Sequence, residues 1–224
     1  MSTQPPPSTH YQSPEIIETT HTPLYTQMSA SRTPFIGPEQ GPEPPFPFLM
    51  SGPVQSGFGR GSSDLGIPTA NLPVDIPPQS SWLPTIPSGV YFGYAALLLP
   101  DEGRAWGEGT EKWRVYPMVM SIGYNPFYKN EVRSAEVHVM RRIHFDLRGR
   151  EMRVMILGYV REEKDYKALE ELIEDIKIDR DVARRSLERP GWLVKEVDEK
   201  GELDGSWLVR SEEGEEKVEE KRKA

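Results

Sequence analysis

The sequence contains no cysteine and no long apolar run. Disulfides and thiolate chemistry are therefore excluded, which fits a reducing compartment without proving one. The longest apolar run, residues 95–99, is far shorter than the ~18 residues that a membrane-spanning helix needs. Basic residues are also scarce, since 27 Lys and Arg face 35 Asp and Glu and form no basic stripe. This balance argues against a nucleic acid partner.

Targeting signals are missing from the N-terminal region. The first 45 residues are too poor in Arg for a mitochondrial presequence, and they lack the apolar segment of a secretory signal. We therefore expect a soluble, cytoplasmic protein, with a monomer as the default state. Association with an organelle or a membrane surface would leave no trace in this sequence.

Composition divides the chain into three parts. Residues 1–45 hold nearly half of the 22 prolines together with many Ser and Thr, so they are predicted to be a disordered arm. Residues 191–224 carry much of the acidic excess behind the formal charge of −8, and they are predicted to be an acidic polar tail. The remaining residues, 46–190, are enough for one domain with a single core.

Short apolar or alternating runs predict about six β-strands in this domain. They are rich in Val, Ile, Tyr and Met and are separated by Gly, Pro and Asn. Strands that follow one another without helices indicate an antiparallel sheet, most simply closed as a small barrel. The predicted strands cover residues 48–55, 70–72, 90–99, 115–122, 134–140 and 152–160.

Only residues 165–187 show helical periodicity. Their apolar residues form one stripe with charges elsewhere, and Pro190-Gly191 marks the end of the helix. We expect this helix to cover the open end of the barrel. The stripe consists of Leu169, Leu172, Ile173, Ile176, Val182 and Ala183.

A glycine-rich segment carries the strongest indication of chemistry. Three glycines give a backbone that can approach a phosphate closely, and a Thr and an Asn that follow them offer neutral oxygens to a hard cation. This inventory suits a magnesium–nucleotide site, although a simple turn capped by the Asn would contain the same pair. No lysine follows the last glycine, so the segment is not a P-loop. The residues concerned are Gly57, Gly59, Gly61, Thr69 and Asn71.

Five ordered sequence blocks closely resemble the signature of riboflavin kinases, which phosphorylate riboflavin with ATP to give FMN. The resemblance covers about residues 46–190. No histidine is followed by x-Gly-His, the motif of the FAD-forming domain that many bacterial relatives carry, so a monofunctional kinase of eukaryotic, fungal type is expected. The blocks are GFGRGS…LGIPTAN from Gly57, SGVYFG from Ser88, SIGYNPFYKN from Ser121, AEVH from Ala135 and LEELI from Leu169.

The resemblance implies the fold and the catalytic base. The implied fold is mainly β, a small closed antiparallel Greek-key barrel with a C-terminal helix packed on it and the flavin near their junction. Glu136 lies in a predicted strand, on the face opposite the apolar residues together with His138. From pattern alone such a carboxylate is more often exposed or paired with an Arg. The resemblance implies instead that Glu136 takes the proton of the alcohol, whereas His138 is given only a supporting role.

The binding residues also come from the resemblance. It implies that Thr69 and Asn71 coordinate the metal of the bound nucleotide, that the glycine segment covers the phosphates and that Arg161 contacts the flavin. The expected metal is Mg²⁺, with Zn²⁺ or Mn²⁺ left open. Many relatives carry a Lys two residues after the last glycine, but this chain has Ser63, which leaves Arg60 as a substitute.

We therefore expect a riboflavin kinase that converts riboflavin and ATP to FMN and ADP. Two alternatives stay open at this point: a flavin-binding barrel without catalysis, and a kinase for another small alcohol. Tyr124, Phe127 and Tyr128 are candidate aromatic contacts of the flavin, although aromatic residues in a hairpin more often pack across strands.

Overall fold

Six strands and one long helix organise the chain. The computed structural model describes residues 32–55, 69–101, 110–124, 133–144 and 146–210. All of these elements belong to one structural unit that begins at Thr33. The strands are β1 (Phe48–Pro53), β2 (Ala70–Asn71), β3 (Gly89–Pro100), β4 (Glu111–Tyr124), β5 (Arg133–Val139) and β6 (Glu151–Arg161); the helices are α1 (Gln79–Trp82), followed by a 3₁₀ turn (Leu83–Thr85), α2 (Leu169–Leu187) and α3 (Ser206–Val209).

The six strands form one antiparallel sheet in the order β1-β6-β3-β4-β5-β2. Strands β3, β4 and β5 are consecutive neighbours, and β6 returns beside β3, which is the Greek-key arrangement. The sheet curls until its two edge strands meet, because Gln55 bridges to Asn71 and the Gln55 amide donates to the Asn71 carbonyl at 2.8 Å. The predicted mainly-β barrel fold is confirmed.

Side chains alternate along the strands, so the apolar residues of the sheet form two layers, one on each face. Inward-facing residues such as Tyr91 and Leu97 of β3 join one buried cluster inside the curled sheet. Phe92, Tyr94 and Ala96 point the other way and join a second cluster beneath α2 and the C-terminal segment. Strand β3 is therefore buried on both faces, which explains its nearly continuous apolar sequence.

Helix α2 begins four residues later than the periodicity predicted. Ala168 has extended backbone angles (φ −133°, ψ 148°), and residues 162–168 form a loop that leads from β6 into the helix. Glu170 and Glu171 lie in the first turn and Arg184 and Arg185 in the last, each sign suited to the helix dipole. The helix packs against β3, β4 and β6 through its buried apolar side chains.

Residues 33–41, part of the stretch that the sequence assigned to a disordered arm, form a strap that contacts the end of α2 and the segment after it. Arg189 donates to the carbonyls of Ile36, Gly37 and Pro38, the last two at 3.0 and 3.1 Å. The Trp192 indole donates to the Pro38 carbonyl at 2.7 Å. The polar composition gave no sign that this strap is ordered, because a few tertiary contacts rather than an apolar run hold it in place.

The first part of the predicted acidic tail is also packed. Trp192, Val194 and Leu208 are buried in the outer cluster. Arg153 of β6 donates to the carbonyl of Arg210 at 2.7 Å and lies over the Trp113 ring at 4.3 Å. The tail therefore contributes to the outer layer as far as residue 210, and residues 211–224 lie outside the described part of the chain.

Within the described ranges, no helix combines the length and the apolar character needed to cross a membrane.

Candidate active site

A cavity of about 590 Å³ lies between the outer face of the sheet, the loop after β6 and helix α2. Sheet and strand ends contribute one wall, and the loop and the helix contribute the other. This is the junction of barrel and helix at which the flavin was expected. Its lining residues are Thr69, Val90, Val119, Met120, Ser121, Tyr124, Glu136, His138, Arg161, Glu163, Lys164, Asp165, Tyr166, Leu172, Ile176 and Asp179.

Glu136 faces this cavity because β5 alternates. Ala135, Val137 and Val139 belong to the inner cluster, so Glu136 and His138 point outward toward α2. Asn71 of β2 and Ser121 of β4 are the cross-strand partners of Glu136 on its two sides. The carboxylate thus stands between an amide and a hydroxyl on a rigid strand.

The surroundings make Glu136 a stronger base than an exposed carboxylate. Burial raises its pKa, and repulsion from the nearby Glu163 carboxylate raises it further. A carboxylate with a raised pKa holds a proton more readily, which is the property required of a general base.

Thr69 and Asn71 lie at the edge of the sheet beside Glu136. Thr69 lines the cavity, and Asn71 is 6% exposed. Neither amide atom of Asn71, Oδ1 or Nδ2, has a hydrogen-bond partner among the residues that the structure describes. A buried amide without partners is costly, which makes Asn71 a candidate for binding a ligand. The carbonyl oxygen suits a hard cation such as Mg²⁺.

Arg161 reaches the cavity because β6 bulges. Val90 pairs with Arg161 but Tyr91 pairs with Tyr159, which leaves Val160 as the extra residue. Without the bulge, Arg161 would share the inner face with Tyr159; with it, Arg161 turns toward α2. Its guanidinium forms a forked ion pair with Asp179, at 2.8 Å from Nη2 and 3.1 Å from Nε.

A group of charges surrounds Arg161, and sequence reasoning missed most of it. The Asp175 Oδ2 atom accepts from Lys164 Nζ at 2.9 Å and from the Tyr166 hydroxyl at 2.8 Å, and Arg161 Nη2 lies 3.9 Å away. Burial is the largest single influence on Arg161 and lowers its pKa, but the hydrogen bond to Asp179 and the charges of Asp179, Tyr166 and Asp175 together outweigh it and raise the pKa. Two carboxylates four residues apart within the apolar stripe of α2 were the available signal.

Glu163 is a second site residue that the pattern did not reveal. The Ser121 hydroxyl donates to its Oε1 atom at 2.7 Å, and a Cβ at Gly123 would collide with both carboxylate oxygens. The loop after β6 is therefore hydrogen-bonded to β4 at Ser121, the cross-strand partner of Glu136. The charged stretch around Glu163 gave no sign of this placement.

Several predicted residues cannot be located. Gly57, Gly59, Gly61, Phe127 and Tyr128 lie outside the described residues. Of the predicted site residues that are described, Thr69, Glu136 and Arg161 line one cavity, and Asn71 is the strand partner of Glu136. In the described ranges, no three His, Asp or Glu side chains are grouped to hold a metal ion.

Comparison with known proteins identifies the family. The family model described as "Flavokinase: Riboflavin kinase" matches residues 44–187. The riboflavin kinase of Pyricularia oryzae is 51% identical over 194 residues, covering 82% of this chain and 96% of that protein. The riboflavin kinase of Neurospora crassa is 47% identical over 232 residues, covering 80% and 97%. The crystal structure of riboflavin kinase from Trypanosoma brucei superposes with a TM-score of 0.50 at 23% identity, over 66% of this chain and 84% of that one, a likeness in fold. The chain belongs to the riboflavin kinase family.

Proposed function

We propose that this chain transfers the γ-phosphate of ATP to the ribityl 5′-hydroxyl of riboflavin, giving FMN and ADP. The observation that carries the proposal is the position of Glu136, a carboxylate of raised pKa on the cavity wall between Asn71 and Ser121. Family membership supports the reaction, and the side-by-side positions of Glu136 and Asn71 support their roles as base and cation ligand.

Glu136 acts as the general base. It accepts the proton of the 5′-hydroxyl as the alcohol oxygen forms a bond to the γ-phosphorus. The bond from that phosphorus to the β–γ bridging oxygen breaks, and the bridging oxygen leaves with ADP. Because the transition state of phosphoryl transfer is loose, the protein contributes mainly by positioning and by stabilising charge.

Thr69 and Asn71 would hold the divalent cation of the nucleotide, through a hydroxyl and a buried amide oxygen. When bound, Mg²⁺ neutralises phosphate charge and orients the transferring group. Two neutral ligands are sufficient, since phosphate oxygens and waters complete an octahedral shell and bring the negative charge. We assign Mg²⁺ as the metal.

Arg161 and the apolar wall form the flavin side. The forked pair with Asp179 fixes the guanidinium plane, and Leu172 and Ile176 of α2 supply apolar surface in the same cavity. A flat ring system needs such a slot with a few polar anchors. We further propose that Gly57, Gly59 and Gly61 cover the phosphates, with Arg60 as the cation of that segment.

The test is an assay of purified protein with riboflavin, ATP and Mg²⁺, with flavin products separated by chromatography. We expect FMN and no FAD. Glu136→Gln should lower kcat by ~10²–10⁴-fold, the usual contribution of a general base. Glu162→Gln is the matched control, because it removes an equal charge from a residue that does not line the cavity.

Three results would contradict the proposal in different ways. Near-normal turnover by Glu136→Gln would remove that residue from the mechanism. Riboflavin that binds without conversion, with Mg²⁺, Zn²⁺ and Mn²⁺ alike, would favour a flavin-binding protein. ATP hydrolysis dependent on another alcohol, with riboflavin inert, would reassign the acceptor.

A further inference from the structure

A buried carboxylate that the mechanism does not use lies behind the cavity wall. Asp175 is on helix α2, and its side chain is only 2% exposed. Lys164 and Tyr166 hydrogen-bond to one of its oxygens, and Arg161 approaches the same atom. All three donors line the cavity, and all three lie on or next to the loop after β6.

Hydrogen bonds hold loop 162–168 from two sides. Asp175 holds it from the helix through Lys164 and Tyr166, and Ser121 holds it from the sheet through Glu163. The sheet contact lies beside Glu136, since Ser121 and Glu136 are cross-strand partners. The position of this loop therefore sets the distance between β5, which carries Glu136, and the opposite side of the cavity, where the flavin would lie.

Burying charged groups costs desolvation free energy, which argues that this cluster does more than pack the helix against the loop. Two buried carboxylates, Asp175 and Asp179, face the two cations Arg161 and Lys164. Replacing such a buried group by apolar residues is often neutral or stabilising, so stability alone is a weak reason for it. What the charges provide is geometry, because a carboxylate that accepts from several donors fixes each of them.

Tyr166 connects Asp175 to the cavity in which a ligand would bind. Its hydroxyl is anchored on Asp175 while its side chain lines the cavity. Burial, followed by the hydrogen bond to Asp175, raises the pKa of Tyr166 to about 12, so the hydroxyl stays a donor. An aromatic ring held at its polar end presents a fixed surface to a flat ligand.

We propose that Asp175 is a positioning residue for the flavin side of the site: it fixes Tyr166, Lys164 and Arg161 so that the loop after β6 forms a preorganised wall for the acceptor. The inference rests on the proposed function. It assigns Asp175 no contact with the reacting atoms, and it predicts an effect on acceptor binding rather than on the chemical step.

The test separates KM from kcat. Asp175→Ala should raise KM for riboflavin about 10- to 100-fold, because a misplaced wall loses orientation, while KM for ATP and kcat per folded molecule stay within about twofold. Asp175→Asn keeps an acceptor for Tyr166 but loses the charge that holds Lys164, so its KM should be intermediate. Glu174→Ala is the control, since Glu174 forms an ion pair with Lys177 on the same helix and is not among the residues that line the cavity.

A double-mutant cycle tests whether Asp175 affects riboflavin binding through Tyr166. Tyr166→Phe alone should raise KM for riboflavin by about two- to tenfold, the value of one hydrogen bond. Added to Asp175→Ala, it should change nothing further, because the hydroxyl has already lost its partner.

Two outcomes overturn the inference while leaving the kinase assignment intact. In one, Asp175→Ala lowers the fraction of folded protein but leaves KM for riboflavin unchanged, so Asp175 is structural only. In the other, the effects of Asp175→Ala and Tyr166→Phe add fully, so the two residues act separately. If the wild-type protein makes no FMN, the proposed function itself fails, and riboflavin affinity measured by flavin fluorescence quenching then decides whether Asp175 shapes a flavin site at all.

Discussion

At the scale of single residues, Asn71 and Gln79 make an informative pair. Both are amides buried to more than nine tenths, but among the residues that the structure describes only Gln79 has its amide paired. Its Nε2 donates to the carbonyls of Ser51 and Pro73, each at 2.8 Å, whereas neither amide atom of Asn71 has a partner in the described residues. Gln79 is therefore a structural amide, whereas Asn71 is the amide that we propose to bind the cation.

Opposite effects on stability are expected from the same type of substitution. Gln79→Leu should destabilise the protein by about 1–3 kcal/mol, because it leaves backbone groups unpaired. Asn71→Leu should be neutral or stabilising in the absence of ligand, but it should abolish the rise in Tm that Mg²⁺ and ADP produce in the wild type. Thermal melts with and without Mg²⁺–ADP measure both. A strong loss of stability in Asn71→Leu with an unchanged ligand shift would refute the assignment of Asn71.

At the scale of elements, the N-terminal strap and the C-terminal segment show where sequence patterns fail. The strands were predictable because alternation is a local property that each strand carries in its own residues. Strap residues 33–41 and Trp192 have no such period, since their order comes from partners roughly 150 residues away. Gly37, at φ +70°, adds a local requirement, because a Cβ there would collide with the Trp192 ring.

The site was predictable to the same extent and for the same reason. Glu136 could be placed on the correct face of β5 by alternation alone. Arg161 could not, because the bulge at Val160 reverses its side, and a bulge is set by the neighbouring strand. The four-residue spacing of Asp175 and Asp179 marks both carboxylates, but their partners, like that of Glu163, depend on how a loop folds back onto a helix and a sheet, which this spacing does not encode.

The contribution of Trp192 to the packing of the strap and the C-terminal segment can be tested. It is 2% exposed, stacks on Phe92 at 5.6 Å between ring centroids and joins the strap to the outer layer. Trp192→Ala should lower the free energy of unfolding by about 3–5 kcal/mol in urea titrations. Val197→Ala, at an exposed position of the same segment, should change it by less than about 0.5 kcal/mol. A small effect of Trp192→Ala would mean that residues beyond Pro190 do not belong to the cooperative domain.

At the scale of the whole molecule, two apolar layers share one sheet. The inner cluster closes the curled strands, and the outer one binds α2 and the C-terminal segment. Helix α2 therefore has two duties, since its C-terminal half covers the sheet while Leu172, Ile176 and Asp179 border the cavity. Global stability and the shape of the site are coupled through this one helix.

Two buried tyrosines and one half-buried tyrosine report on both layers and on the cavity. Tyr91 lies in the inner cluster, Tyr94 in the outer one and Tyr166 at the cavity. Burial raises the pKa of Tyr91, with a smaller contribution from Tyr159, and it raises that of Tyr166, helped by Asp175, each to about 12. The pKa of Tyr94 is raised as well, again by burial.

The pH dependence of unfolding follows from these shifts. An unfolded chain ionises its tyrosines near pH 10, whereas the folded chain keeps these three neutral. Their contribution to stability is complete below about pH 10 and is lost as the pH rises toward about 12, because the unfolded state then releases more protons. Absorbance of tyrosinate should therefore show a late phase that coincides with loss of tertiary circular dichroism. Tyr166→Phe should move this alkaline transition to higher pH, since it removes one group that favours the unfolded state. Complete tyrosine ionisation near pH 10 in a still-folded protein would contradict the burial of Tyr91 and Tyr94 in the two layers and the anchoring of Tyr166 on Asp175.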